Sequence, residues 1–339
     1  MISSKKLGWA IVGLGELSST EIAPALQRAK NSQLAALVTG SPEKSEEWKE
    51  RYGLTESQIY RYEDFDRLAE DPSVDVVYIV TPNALHKEHA IRAARAGKHV
   101  FCEKPMGNDT ADCLEMMAAC EIAGVQLGMA YRCQLDPHHQ EAIRFCREKT
   151  FGAVRHIEAS FGFKISPDVH SRLRRDLSKG GALLDVGVYC VQACRYLAGE
   201  EPTEVIAIES KSDPAIFAEV DDTVVWSMKF ASGITANCMT SFSIPNVDEF
   251  RVIAENGSFG MRPAFAYEVK PQGWTSDPAH PLHFAPIDQF AVQMDAFSQA
   301  IMAGRPFEIG GEEGLKDHLV MDAIYRSIAS GKMEAVAIS

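Results

Sequence analysis

Long apolar runs are missing from this sequence: no stretch reaches the ~18 consecutive apolar residues of a transmembrane helix. An excess of positive charge is missing too. Lys and Arg number 34 against 47 Asp and Glu, a net charge of −13. That balance argues against nucleic acid and against an anionic membrane as partners, and leaves room only for a local basic pocket for a phosphate. A regular cysteine framework is absent. The eight cysteines fall at 102, 113, 120, 133, 146, 190, 194 and 238; Cys190 and Cys194 share a helical spacing, but no second Cys or His pair at metal spacing accompanies them. They read as reduced, buried thiols. His86 and His89, like His280 and His283, are three apart without carboxylates at a ligand spacing, so no metal is expected. Neither an internal repeat nor a low-complexity tract occurs.

Lys5 and Lys6 ahead of the apolar residues 7–15 imitate a secretion signal, but the run stops at Glu16 without a small-x-small cleavage pattern. The same residues make a strand and a glycine turn, and the cytoplasm is the expected compartment. What is present is an ordinary globular composition, 46% hydrophobic and 24% charged over 339 residues, with room for two domains.

Residues 7–12 (LGWAIV) predict a strand, and Gly13, Gly15, Glu16 and Leu17 the turn after it. Spaced glycines let the backbone turn tightly and approach a pyrophosphate at the start of the next helix. Ser18 replaces the third glycine of the dinucleotide fingerprint. The second strand, 34–39, ends without the carboxylate that would hold the ribose 2′-hydroxyl of NAD; Gly40, Ser41 and Lys44 follow instead. A hydroxyl and an ammonium suit a 2′-phosphate, so NADP(H) is the expected cofactor. A loop and short helix (60–69), a buried strand (74–80) ending in Thr81-Pro82-Asn83, a helix (84–96) closed by Gly97, a strand (99–102), a helix (109–123) and a strand (125–130) complete a doubly wound parallel sheet.

After about residue 135 the pattern changes. A helix (137–149) precedes strands with antiparallel character at 154–164, 203–210, 223–230, 234–241, 250–254 and 258–261, with a helix at 182–197 between the first two and a hairpin at Ser232-Gly233. Residues 262–286 carry five prolines and read as a long loop with little regular structure. Helices at 287–302 and 312–329 finish the chain. The expected fold is α/β, with a Rossmann domain over 1–132 and an α+β domain with an open, mainly antiparallel sheet over 133–339. The last helix is a candidate to pack back on the first domain, and the open face of the sheet is a candidate for a partner subunit.

The chemistry centres on two places. Glu103-Lys104-Pro105 stands at the carboxyl end of a buried strand, where ligands bind in open α/β sheets; taken alone, it reads equally as a surface ion pair before a turn. Asp185 and Tyr189 are i and i+4 on the helix after Gly180-Gly181. A tyrosine with the ordinary pKa of ~10 is a poor base at neutral pH, and a lysine cation beside it favours the phenolate. Lys104 and Tyr189 would make one functional pair if the fold joins them.

With EKP at 103–105, GGALLDVGVY at 180–189, IVGLG at 11–15, TGSPEK at 39–44, YRCQLDP at 131–137, RLRRDL at 172–177, GEEPTEV at 199–205 and GEEGLKD at 311–317, nearly the whole chain resembles the glucose–fructose oxidoreductase, inositol dehydrogenase and rhizopine-catabolism family. Tyr189, where many members have histidine, places it nearest the glucose–fructose oxidoreductase branch. The resemblance implies catalytic roles for Lys104, Tyr189 and Asp185. It implies substrate contacts from Tyr131, Arg172, Asp185 and Tyr189. For the cofactor it implies Gly13, Gly15, Glu16, Leu17, Gly40, Ser41, Lys44, Tyr62, Thr81, Pro82, Asn83, His86, Glu103, Lys104, Arg132 and Arg172. Ser171 stands where that branch tends to have tryptophan. The implied activity is oxidation of a cyclic aldose at C1 to a lactone with tightly bound NADP, the hydride passing on to a second sugar. The alternatives are a plain NADP-dependent enzyme acting on xylose, a dihydrodiol or 1,5-anhydrofructose, and a non-catalytic NADP-sensing protein. A homo-oligomer is expected.

Overall fold

The computed structural model describes residues 6–166, 170–267 and 270–337. Lys5, the side chain of Ser171 and part of the proline-rich stretch lie outside the described residues. The chain divides into two units, the first made of Met1–Gly107, Ala111–Arg132 and Asp288–Leu315, the second of the remainder.

In the first unit the strands are β1 (Leu7–Val12), β2 (Ser32–Val38), β3 (Ile59–Tyr60), β4 (Val76–Ile79), β5 (His99–Cys102) and β6 (Leu127–Met129). They pair in the order β3-β2-β1-β4-β5-β6, all parallel. This is the doubly wound order, with its switch point between β1 and β4. The VVYI of β4 is buried at every position, as a parallel strand covered on both faces must be. Helices α1 (Ala23–Arg28), α2 (Pro42–Tyr52), α3 (His86–Arg95) and α4 (Thr110–Ala123) alternate with the strands. The segment expected as loop and short helix supplies β3, a two-residue edge strand, before a 3-10 turn at Phe65–Glu70.

The core of this unit is closed by a distant piece of chain. The helix Gln289–Met302, capped by the Asp288 side chain, sets Phe297 against Trp9 and Phe101 at ring-centroid distances of 6.0 and 5.0 Å. The Trp9 indole N–H donates to Ser298 Oγ at 3.0 Å. Gly128 on β6 is required here, because a Cβ would fall 2.7 Å from the Phe297 ring.

In the second unit, α5 (Pro137–Arg147) leads to β7 (Val154–Gly162), short helices α6 (His170–Leu173) and α7 (Arg175–Ser178), and α8 (Val188–Ala198). Then come β8 (Pro202–Ser210), β9 (Thr223–Phe230), β10 (Thr235–Ser241), β11 (Val247–Ala254), β12 (Gly257–Met261), β13 (Gly273–Thr275) and β14 (Glu334–Ala335). The sheet order is β13-β12-β11-β7-β10-β9-β8-β14. Neighbours are antiparallel except β7 and β10, which run parallel. Alternation puts Val205, Ala207, Val224, Trp226 and Met228 into the core, while Ile206, Ile208 and Val225 of the same strands face outward and stay exposed. The stretch 262–286 is not wholly irregular: β13 pairs with β12, a strand hidden from sequence by the prolines around it. The expected helix 182–197 starts with a π-turn, Leu183–Gly187, before α8. Among the described residues no helix is long and apolar enough to cross a membrane.

Candidate active site

The first unit gathers its candidate residues at the carboxyl ends of β1, β2, β4, β5 and β6. Gly13 takes φ +95°, and a Cβ there would lie 2.9 Å from the Val80 carbonyl, so the turn after β1 admits only glycine. At Gly15 a Cβ would enter open space, which leaves room over the backbone for a phosphate group. Ser18, fully buried, donates its hydroxyl to the Gly13 carbonyl at 2.6 Å and so ties the helical segment to the turn where a third glycine was expected. Glu16 and Leu17 lead into the π-turn Ser18–Ile22. Ser41 caps α2, its Oγ accepting from the Lys44 N–H. The Lys44 ammonium reaches back to the Leu14 carbonyl at 2.8 Å, which joins the end of β2 to the glycine turn. A dinucleotide's pyrophosphate fits the open backbone and helix start of this turn.

Tyr62 lies against Gly40, whose Cβ would meet its ring at 3.2 Å. It stacks on His89 at 5.4 Å, and His89 stacks on Phe65 at 5.6 Å. Thr81, Pro82 and Asn83 follow β4, and the Thr81 hydroxyl meets His89 Nδ1 at 3.2 Å. His86 is buried with Nδ1 2.9 Å from the Pro105 carbonyl and Nε2 2.9 Å from the Thr81 carbonyl. Burial holds its proton affinity below the ordinary histidine range, and a neutral ring has one N–H to offer two carbonyls. Its ring nitrogens thus tie two chain segments together, which makes it a positioning part.

At the end of β5 the Glu103 carboxylate is buried. Oε1 accepts the Tyr78 hydroxyl at 2.7 Å, and Oε2 accepts the Lys104 backbone N–H at 3.3 Å. Burial raises its proton affinity, against the pull of the Lys104 and Arg132 cations and the Tyr78 hydrogen bond. Tyr131 and Arg132 are buried after β6. Arg132 Nη1 donates to Gln289 Oε1 at 2.6 Å. Tyr78, Gln289 and Gln293 give no local signal as site residues; they come from a core strand and from a helix beyond residue 288.

In the second unit Asp185 lies in the π-turn and Tyr189 in the first turn of α8, and π-turns inside helices are frequent at functional sites. Two buried carboxylates shape this corner. Asp221 accepts the N–H groups of Gly181 and Leu183, both at 2.8 Å, closing the start of the helical segment. Gly181 has to be glycine, since a Cβ would overlap the Asp221 carbonyl at 1.8 Å. Asp248 accepts from the N–H groups of Ala264, Phe265 and Ala266 at 3.0, 2.6 and 3.0 Å. That loop puts the Phe265 ring 5.9 Å from Tyr189, with Phe161 at 5.4 Å on another side. Arg172 Nε lies 3.2 Å from Asp185 Oδ2. Arg172, Asp185 and Tyr189 thus belong to one corner of this unit, where Thr240 of β10 packs against Gly187.

Residues 7–131 match the oxidoreductase family with an NAD-binding Rossmann fold, and residues 139–260 match the GFO/IDH/MocA C-terminal domain. Over 71% of this chain and 70% of its relative, the sequence is 31% identical to trans-1,2-dihydrobenzene-1,2-diol dehydrogenase of Mus musculus. The chain belongs to the GFO/IDH/MocA oxidoreductase family. It is an NAD(P)-dependent oxidoreductase acting on CH–OH groups, and the reading as a non-catalytic sensor falls away. This oxidoreductase is 42% identical to aldose-aldose oxidoreductase from Caulobacter crescentus, solved with glycerol, with a TM-score of 0.91 over 98% of this chain and 100% of that one. It is 28% identical to D-xylose 1-dehydrogenase (NADP(+)) 2 of Haloferax volcanii over 95% of this chain and 98% of the relative.

Proposed function

We propose that the protein is an NADP(H)-dependent sugar oxidoreductase that oxidises a cyclic aldose at C1 to a lactone and serves a second sugar from the same retained cofactor. The full-length similarity to an aldose-aldose oxidoreductase at 42% identity carries this reading. Gly13, Gly15, Glu16 and Leu17 would hold the pyrophosphate. Ser41 and Lys44 would take the 2′-phosphate, Tyr62 with Gly40 would border the ribose, and Thr81 to Asn83 with Arg132 would border the nicotinamide end. The bound nicotinamide supplies the hydride acceptor and donor. Tyr189 Oη takes the proton of the C1 hydroxyl as the aldose is oxidised, and returns one to the second sugar's carbonyl oxygen. Lys104, after β5, is the second catalytic residue of this proposal. Asp185, oriented by Arg172, accepts a sugar hydroxyl, and Tyr131 is a further residue proposed to contact substrate.

A sugar panel read at the absorbance of the reduced cofactor, on protein as purified, tests this. Absorbance that rises with one sugar and falls again with another, without added NADP, is the expected result. Turnover that needs external NADP and halts at the first product would favour the second reading, a plain dehydrogenase, for which the resemblances to xylose and dihydrodiol dehydrogenases speak. A cytoplasmic homo-oligomer joined through the exposed sheet face completes the proposal.

A further inference from the structure

Gln293 lies 215 residues from Tyr78 in sequence, yet its Nε2 donates to the Tyr78 hydroxyl at 3.0 Å. The Tyr78 hydroxyl in turn donates a hydrogen bond to Glu103 Oε1 at 2.7 Å, and the other carboxylate oxygen accepts the Lys104 N–H. All three side chains are buried: Gln293 is 1% exposed, Tyr78 0% and Glu103 7%. The polarity follows from the ends. An ionised Glu103 needs the phenol proton, which leaves Tyr78 only a lone pair for residue 293, so the amide nitrogen faces it.

Holding the amide this way has a cost. Gln293 Oε1 is buried without a hydrogen-bond partner, a penalty that leucine or methionine of similar volume would avoid. A side chain kept at the expense of stability, on a line that ends at a candidate catalytic lysine, points to function.

We infer that Gln293 is a positioning residue, which through Tyr78 fixes the Glu103 carboxylate, and with it the Lys104 main chain, for the reaction. This rests on the role proposed above for Lys104. Glu103 is faced by Lys104 and the Cys102 thiol from its own segment, by Tyr78 from β4, and by the Arg132 guanidinium after β6. Of these neighbours, Tyr78 is the one that Gln293 orients.

The test compares Gln293→Leu, Gln293→Glu, Tyr78→Phe, Tyr78→Phe with Gln293→Leu, and Lys104→Ala in the full chain, assayed with the best sugar of the panel. Gln293→Leu loses the donor and sheds the orphan carbonyl, so its melting temperature should hold or rise while kcat falls by about 10-fold. Gln293→Glu offers the phenol proton a competing acceptor, so the acid limb of the kcat/KM profile should move up by about half a pH unit or more. In the Tyr78→Phe background, Gln293→Leu should have no further effect on kcat. A wild-type kcat and pH profile in both Gln293 variants, beside an inactive Lys104→Ala, overturns the positioning role and leaves the lysine's role standing. Activity and melting temperature falling in step in both Gln293 variants also overturns it. An active Lys104→Ala instead removes the premise.

Discussion

Burial sets the proton affinity of His89. Held between Tyr62 and Phe65, its ring has a pKa pushed down from 6.5 to about 4, chiefly by desolvation, with the nearby His86 and Arg92 adding to it. A depressed histidine pKa means that the unfolded chain binds the proton that the folded chain refuses. The stability it contributes is therefore complete above pH 6.5 and is lost as pH falls towards 4, a loss of about 3 kcal/mol across that window. His89→Phe keeps a flat ring in the stack and removes the titration. Its urea midpoint should fall less between pH 6.5 and 4 than that of the parent, and equal slopes would contradict this account. At this scale the candidates for the chemistry are visible in sequence: Lys104 beside a proline, Asp185 and Tyr189 four apart. Their supports could not. Gln293 and Gln289 look like polar positions on an ordinary helix, and only the fold carries them to Tyr78 and Arg132.

Among elements, the strands of the first sheet follow from runs such as VVYI and HVFC, because a strand buried on both faces has to be apolar throughout. The strand β13 escapes that logic. Gly273, Trp274 and Thr275 form a short edge strand, and its pairing is decided by β12. A buried carboxylate holds part of the loop between these strands. Asp248 takes three backbone N–H groups of 264–266, so Asp248→Ala would strand buried donors and should cost about 3 kcal/mol or more. Because the same loop sets Phe265 beside Tyr189, catalysis should weaken along with stability. Urea titration and turnover measured together check this, and a shift below about 0.5 kcal/mol would show that the loop is held by other means.

For the whole molecule, one surface stands out. Ile208 is 71% exposed and Val225 48%, with Ile206 beside them at 41%, on a sheet face whose other side is core. Exposed aliphatics grouped on a flat sheet mark an association surface. Ile208→Lys with Val225→Lys should convert the proposed oligomer to monomers in light scattering. An unchanged mass would place the subunit contact elsewhere, and a monomeric parent would remove it. The two-part organisation follows from the change in strand grammar near residue 135, whereas the return of Asp288–Leu315 to the first unit has no sequence mark, since an amphipathic helix does not name the surface it covers.

That return has a bearing on biosynthesis. A ribosome that has released residue 132 has made every strand of the nucleotide-binding sheet and none of the helix that shields Trp9 and Phe101. The nascent sheet must wait, with an aromatic face bare to water, for more polypeptide than it takes to build the sheet itself. The first half of this protein to be synthesised is thus among the last to be finished, and early termination anywhere before the closing segment would leave sticky, uncovered rings for chaperones to manage.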